Sequence, residues 1–380
     1  MRRDVALLFA TRAVRMFAYG FLSIILVLYL ASIGIDAGRI GLLLSLTLMG
    51  DVIVSLFLTT RADAFGRRRT LIAGAILMAL AAAVFAITRD FWLLLVAATV
   101  GVISPSGNEV GPFLAIEQVA LADVAQNRDR TSLYAWYNLG GSFATAMGAL
   151  AAGEIATVIS YRGVIVGYGA LGLLLAAMFA VLSPAVNATH QVQTHIRSRG
   201  IIAKLSALFA LDSFAGGLVV QSILAWWFYR RFGLEPAMLG AIFFGANILA
   251  GVSALAAARI ARRFGLLNTM VFTHLPSNVL LLLVPFMPTL GLAITVLLLR
   301  FSISQMDVPT RQAYIIAVVD PSERTAAAGI TGVARTTGAA LAPIIAVPLI
   351  SGSKDWLPFV VAGFLKIVYD LLLLRHARPE

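Results

Sequence analysis

A central set of ten charged side chains lies within stretches otherwise apolar enough to cross a bilayer. Five are basic (Arg12, Arg15, Arg300, Arg311, Arg335) and five acidic (Asp51, Glu109, Glu117, Asp212, Asp307). An ion at the bilayer centre costs a few kcal/mol unless it is paired or hydrated, so each one implies a buried partner, a hydrated cavity or a path for a solute or proton. Arg12 and Arg15 are three residues apart, on one helix face. Asp307 and Arg311 are four apart and can pair within their helix. At 1.5 Å per residue, Arg15 lies roughly 15 Å inside the N-terminal end of its span, too deep for routine snorkelling. The run Ser104-Pro105-Ser106-Gly107-Asn108-Glu109 should break a helix near mid-membrane, and irregular backbone is tolerated there only where it lines a cavity or is buried in protein. Glu109 is therefore the expected protonatable carboxylate or direct solute ligand. The ten charges cancel, but two adjacent guanidinium groups suit oxyanions and tilt the expected solute towards a carboxylate or phosphate.

Other chemistries find no support. There is no cysteine, and the four histidines at 190, 195, 274 and 376 form no ligand spacing. No phosphate-binding loop or nucleophile–base set is present. Neither an enzyme, a cofactor nor a metal site is expected.

The remaining candidates carry bland alternatives. Arg12 and Asp212 occupy repeat-related positions and are expected either at the site or as a static pair between halves. Asp307–Arg311 reads as a structural pair. Glu117 is expected to pair with Arg128 or Arg130, and Lys366 with Asp370, four residues on. Asp51 and Arg335 are single charges on spans two and eleven. Tyr19, Tyr134, Trp136 and Tyr137 suit the site or an interfacial belt, and Trp226 and Trp227 the belt.

The elements that must hold these residues follow from composition. Of 380 residues, 60% are hydrophobic and 12% charged, where soluble domains carry about 25% charged. Lipid is the solvent this implies. Hydropathy places spans near 5–33, 39–60, 70–88, 91–122, 131–157 and 163–183, then near 203–230, 238–258, 268–287, 289–317, 325–350 and 356–374. The first run is too long and too polar for the apolar core of a signal peptide and reads as a retained span. The net charge of +11 comes from Lys and Arg in short loops rather than one soluble face, so no nucleic-acid partner is expected.

The two halves repeat at an offset of about 199. Leu8-Phe9-Ala10 recurs as Leu208-Phe209-Ala210, Gly34-Ile35-Asp36 as Gly233-Leu234-Glu235, Phe65-Gly66 as Phe264-Gly265, and Arg130-Thr131 as Arg324-Thr325. The reading is an all-α membrane protein of twelve transmembrane helices in two pseudo-symmetric six-helix bundles, 1–183 and 203–380, joined by a polar linker, 184–202. With both termini inside, 17 of the 29 Lys and Arg fall in loops on that side and six on the other, which predicts cytoplasmic termini and a multi-pass protein of a bacterial inner membrane.

The loop Thr59-Thr60-Arg61-Ala62-Asp63-Ala64-Phe65-Gly66-Arg67-Arg68-Arg69 resembles the signature cytoplasmic loop of the major facilitator superfamily. Asp63, Gly66, Arg67 and Arg68 match its acid, glycine and basic pair; Thr59 and Ala64 depart from it. The second-half loop Arg259-Ile260-Ala261-Arg262-Arg263-Phe264-Gly265 keeps the glycine but has Arg262 where the acid would be. The resemblance implies a gating loop at Asp63, Gly66, Arg67 and Arg68. It also implies cavity-lining spans one, four, seven and ten, which carry Arg12, Arg15, Glu109, Glu117, Asp212, Arg300, Asp307 and Arg311, with spans three, six, nine and twelve facing lipid. The expected function is a secondary transporter for a small polar or charged organic solute, working as a monomer by alternating access with protons as co-partner. The alternative is a multidrug or metabolite efflux pump. Span five lacks the Gly-Pro of drug–proton antiporters and span four their arginine, which weighs against that alternative.

Overall fold

A computed structural model describes residues 2–124, 130–183, 198–320 and 323–377. The described residues are helical with no strand: α1 (Arg2–Ser32), α2 (Ala37–Phe65), α3 (Arg67–Ile87), α4 (Phe91–Val100), α5 (Phe113–Val124), α6 (Arg130–Val158), α7 (Tyr161–Ala180), α8 (Arg199–Gly217), α9 (Gln221–Phe232), α10 (Pro236–Phe264), α11 (Leu266–Leu283), α12 (Leu290–Ser304), α13 (Asp307–Val318), α14 (Arg324–Ala340), α15 (Pro343–Ser351) and α16 (Leu357–Ala377). Ten helical stretches among them are long and apolar enough to cross a membrane. Adding α6 and the α4–α5 pair accommodates the twelve spans expected. Large apolar side chains such as Ile53, Phe57, Trp92, Leu173 and Phe272 point outward, as lipid-facing surfaces require.

Local chemistry sets the helix ends. Asp36, Asp90, Ser160 and Thr289 cap the starts of α2, α4, α7 and α12 by accepting from the backbone N–H three residues on. Gly66 ends α2 and begins α3 at φ 90°, and Gly265 does the same between α10 and α11 at φ 83°. Only glycine adopts that turn without strain, so the repeat extends to backbone conformation.

The chain forms two compact units, Met1–Gln191 with Leu224–Phe244, and Val192–Ile223 with Gly245–Glu380. In the first, α1 packs along α6 and is the most enclosed of the apolar spans, with 83% of its apolar window buried. The crossing is glycine-close: a Cβ on Gly148 of α6 would lie 2.0 Å from the Phe17 carbonyl oxygen. In the second unit α8 packs along α14 in the same manner, and a Cβ on Gly338 would lie 2.3 Å from the Ala210 carbonyl oxygen. Each half thus brings its first span against its fifth at backbone contact.

Four spans are interrupted. The widest break separates α4 from α5 over residues 101–112, wider than the 104–109 expected. The others fall between α8 and α9, α12 and α13, and α14 and α15. The α4–α5 break frees backbone groups that lipid cannot satisfy, and side chains from three helices and from the break itself satisfy them. Tyr168 of α7 donates to the Val102 carbonyl (2.9 Å), Tyr19 of α1 to the Val110 carbonyl (3.0 Å), and Ser104 to the Asn108 carbonyl (2.7 Å). Asp51 of α2 accepts from the Gly111 N–H at 2.5 Å. These bonds stitch the segment that presents Glu109.

Candidate functional site: two buried ion networks

In the first unit the break places Glu109 opposite α1. Arg15, fully buried, donates from Nε to Glu109 Oε1 (2.7 Å) and from Nη1 and Nη2 to the two oxygens of Glu117 (2.8 and 2.7 Å). Glu117, also fully buried, accepts further from Thr11 (2.9 Å) and from the Tyr137 hydroxyl. Its partner is Arg15; the side chains of the expected Arg128 and Arg130 lie outside the described residues. A carboxylate in a dry site needs every lone pair filled, and a bidentate guanidinium with two hydroxyls does this.

Arg12, one turn earlier, is held less completely. Its Nη1 lies 3.0 Å from Glu109 Oε2 in an ion pair without hydrogen-bond geometry, Nη2 donates to Asn138 Oδ1 (3.2 Å), and the guanidinium covers the Tyr137 ring at 4.3 Å. Its Nε and Nη1 have no hydrogen-bond partner, nor has Glu109 Oε2. The Glu109 side chain is 15% exposed while that of Glu117 is 0%, so the open valences gather at the wetter end.

The second unit has its own network. Asp212 on α8 accepts from Lys366 Nζ at Oδ1 (2.5 Å) and from Arg311 Nη1 at Oδ2 (2.9 Å). Arg311 also meets Asp307 one turn back at 3.2 Å, the helical pair expected. Asp370 on α16 lies 2.9 Å from His274 Nδ1 and accepts from Asn278 Nδ2 at 2.9 Å, both on α11. Phe209, Met270, Val271, Ile315 and Tyr369 form the apolar surroundings, which strengthen these charge pairs.

Several expectations are corrected. Lys366 and Asp370 do not satisfy each other; each reaches a different helix. The last span and span nine therefore supply buried charge instead of only facing lipid. Arg12 meets Glu109 within the first unit, and Asp212 meets Arg311 and Lys366 within the second. Asp51 holds the α4–α5 break and a hydroxyl, Ser55 at 3.0 Å. Tyr19 is fully buried as a backbone tie. Trp227 is 1% exposed and packs edge-on against Phe228 and Phe232, unlike a belt residue. His274 and Asn278 were missed; the signal is two polar residues four apart on one face of an apolar helix.

Arg300 and Arg335 make no ion pair among the described residues, and the Nε of each lacks a hydrogen-bond partner. Of the loop residues, Arg67 is buried and Arg68 donates to the Leu182 carbonyl at the end of α7 (3.2 Å). The Asp63 side chain lies outside the described residues.

Twelve spans' worth of apolar helix and a charged network in each of two units suit a solute carrier, and comparison decides the family. The model for the major facilitator superfamily matches residues 8–343. The chain belongs to the major facilitator superfamily. Among curated proteins, this major facilitator is 30% identical to an uncharacterised membrane protein of Saccharomyces cerevisiae, over 98% of this chain and 93% of that one. Among solved structures it is similar to a human organic anion transporter, TETRAN (17% identity, TM-score 0.70, 98% and 99% of the two chains). It also resembles the nucleoside transporter NupG (14%, 0.76, 99% and 100%) and a D-xylose-proton symporter (13%, 0.76, 97% and 96%). At such identities these likenesses establish the fold alone. The family makes the protein a multi-pass membrane transporter and not an enzyme.

Proposed function

We propose that this major facilitator is a secondary transporter that moves a small polar or charged organic solute by alternating access between its two halves, coupled to protons, with both termini in the cytoplasm. The observation that carries this reading is the uneven saturation of the buried ions. Arg15 and Glu117 are closed off by each other, whereas Arg12 and Glu109 keep unfilled valences at the less buried end of the same network. Arg300 and Arg335 add unfilled guanidinium donors in the second unit. Buried donors without acceptors are costly, and a solute bearing several oxygen acceptors would fill them. That favours a polar, oxygen-rich solute over the apolar cargo of a broad drug pump, and within the first unit it moves the expected oxyanion contact from the Arg12–Arg15 pair to Arg12.

The test is a thermal-shift screen of purified protein against sugars, nucleosides, carboxylates, phosphate esters and hydrophobic cations at two pH values, followed by uptake of each hit into proteoliposomes with and without an imposed pH gradient. Stabilisation and uptake of an acceptor-rich solute, faster with the gradient and lost in Arg12→Gln, is expected. Transport of hydrophobic cations that persists in Arg12→Gln would transfer the reading to multidrug efflux.

A further inference from the structure

The second unit holds a buried titratable group to which the solute reading gives no part. His274 is 4% exposed and stands between carboxylates from two other helices. Its Nδ1 is 2.9 Å from Asp370 Oδ1 on α16, and its Nε2 is 3.9 Å from Asp212 Oδ1 on α8. The closer contact fixes the tautomer. An ionised carboxylate only accepts, so Nδ1 carries the hydrogen. In the neutral ring Nε2 then aims a lone pair at an anion. A proton added to Nε2 converts that repulsion into a charge-assisted contact.

Every neighbouring helix contributes to the field around this ring. Asp212 faces it from α8, and Lys366, Asp370 and the edge-on Tyr369 ring (centroids 6.0 Å apart) from α16. Asn278 Nδ2 on its own helix lies 3.2 Å from Nδ1. Arg311 and Asp307 join through Asp212 from α13, and Arg300 of α12 and Arg335 of α14 lie within electrostatic reach of Asp212 and Asp307. The directly linked set holds three acids (Asp212, Asp307, Asp370) and two permanent bases (Arg311, Lys366). It carries one negative charge while His274 is neutral and none once the ring is protonated. Arg300 and Arg335 stand outside that set, as donors available to an anionic solute.

One oxygen is contested. Lys366 Nζ sits on Asp212 Oδ1 at 2.5 Å, the oxygen that His274 Nε2 faces. Two cations sharing one carboxylate oxygen repel each other in a dry site, so full possession by one weakens the other.

We propose that His274 is the proton-binding site of this transporter, and that a proton taken up at Nε2 draws the imidazolium onto Asp212 Oδ1 and displaces Lys366 from it. The step forms one N–H bond and breaks one O–H bond of a hydronium ion, which leaves as water; Lys366 keeps its charge and loses its hydrogen bond. α16 is thereby untied from α8 while α11 is tied to it, which turns occupancy by a proton into a change of helix attachment. The proposal deepens the proton-coupled reading and rests on it.

The test needs no solute. Full-length protein with ring-15N histidine, in lipid nanodiscs, is titrated from pH 5 to 9 by NMR, and the His274 signal is assigned by its loss in His274→Gln. If that variant does not fold, a chain lacking His190, His195 and His376 leaves one signal. The expected result is a passage from the Nδ1–H tautomer to the imidazolium within this range. Asp370→Asn should weaken proton binding roughly tenfold, and Lys366→Gln should tighten it by a similar factor, since each changes one unit of charge beside the ring. A histidine held in one protonation state gives no such opposed pair. A ring that keeps one protonation state throughout, or a titration that Lys366→Gln leaves in place, overturns the proposal. A titrating His274 in a protein that moves no tested solute counts against the transport reading and for this site.

Discussion

Arg15 meets both carboxylate oxygens of Glu117, at 2.8 and 2.7 Å, with both side chains wholly shielded from solvent. A third donor of the same guanidinium reaches Glu109 at 2.7 Å. This ties α1 to α5 and to the break before it, so the fold and the site share one residue. Breaking such a pair leaves an unbalanced buried charge, which costs more than the pair itself contributes.

Glu117→Ala should therefore destabilise the protein by about 3–5 kcal/mol, and Arg15→Met combined with Glu117→Leu by less than Glu117→Ala alone. Thermal unfolding in detergent, followed by a fluorescence or dispersity readout, checks the order. A double variant less stable than the single one would show that the pair is a net stabiliser in this environment.

The stitched break makes a second expectation. Tyr168→Phe and Tyr19→Phe each strand a backbone carbonyl, at Val102 and Val110, for a loss of about 1–3 kcal/mol each. Asp51→Asn keeps an acceptor for the Gly111 N–H and should be milder than Asp51→Ala. Thermal stability ranks the variants; equal effects of Asn and Ala at position 51 would mean that Asp51 does not hold the break through its carboxylate.

Close helix crossings give a third. Gly148→Ala drives a methyl to 2.0 Å from the Phe17 carbonyl oxygen, and Gly338→Ala to 2.3 Å from that of Ala210. The obstacle is backbone, so each should cost at least about 1–3 kcal/mol. Gly140, on the same helix as Gly148, has nothing within 4 Å of its virtual Cβ; Gly140→Ala should be neutral or stabilise by up to about 1 kcal/mol through helix propensity. Monodisperse yield and melting temperature separate the two outcomes.

The architecture was legible because lipid imposes it: apolar runs of span length, arginine-rich loops on one side and a repeat offset of 199 leave few alternatives. The backbone bears this out where Gly66 and Gly265 adopt the same left-handed turn. Partner choice was not legible. Helical spacing says that Lys366 can reach Asp370, yet it cannot say that a buried Asp212 on α8 needs the ammonium more, or that His274 and Asn278 will take the carboxylate. Pairing in a low-dielectric interior is decided by the total of uncompensated charge across facing helices, which one-dimensional spacing does not contain. Asp307–Arg311 was foreseeable for the opposite reason, being local.

The last prediction separates site from scaffold within one network. Glu109 and Glu117 are both glutamates bound to Arg15, but Glu109 is 15% exposed with an unpartnered oxygen, and Glu117 is enclosed by Arg15, Thr11 and Tyr137. Glu117→Gln must turn an amide donor towards two of the four donors already in place, so it should lower the melting temperature strongly and reduce uptake only through loss of folded protein. Glu109→Gln leaves the Arg15–Glu117 pair intact and can turn its new donor towards the open side, so it should cost less stability than Glu117→Gln, although Arg12 loses its counter-charge. Its uptake per folded molecule should fall by at least tenfold, because the charge that balances Arg12 has gone. Solute counterflow in proteoliposomes, normalised to reconstituted protein and set beside melting curves for both variants, distinguishes them. Parallel losses of stability and flux in the two glutamates would mean that Glu109 is scaffold as well.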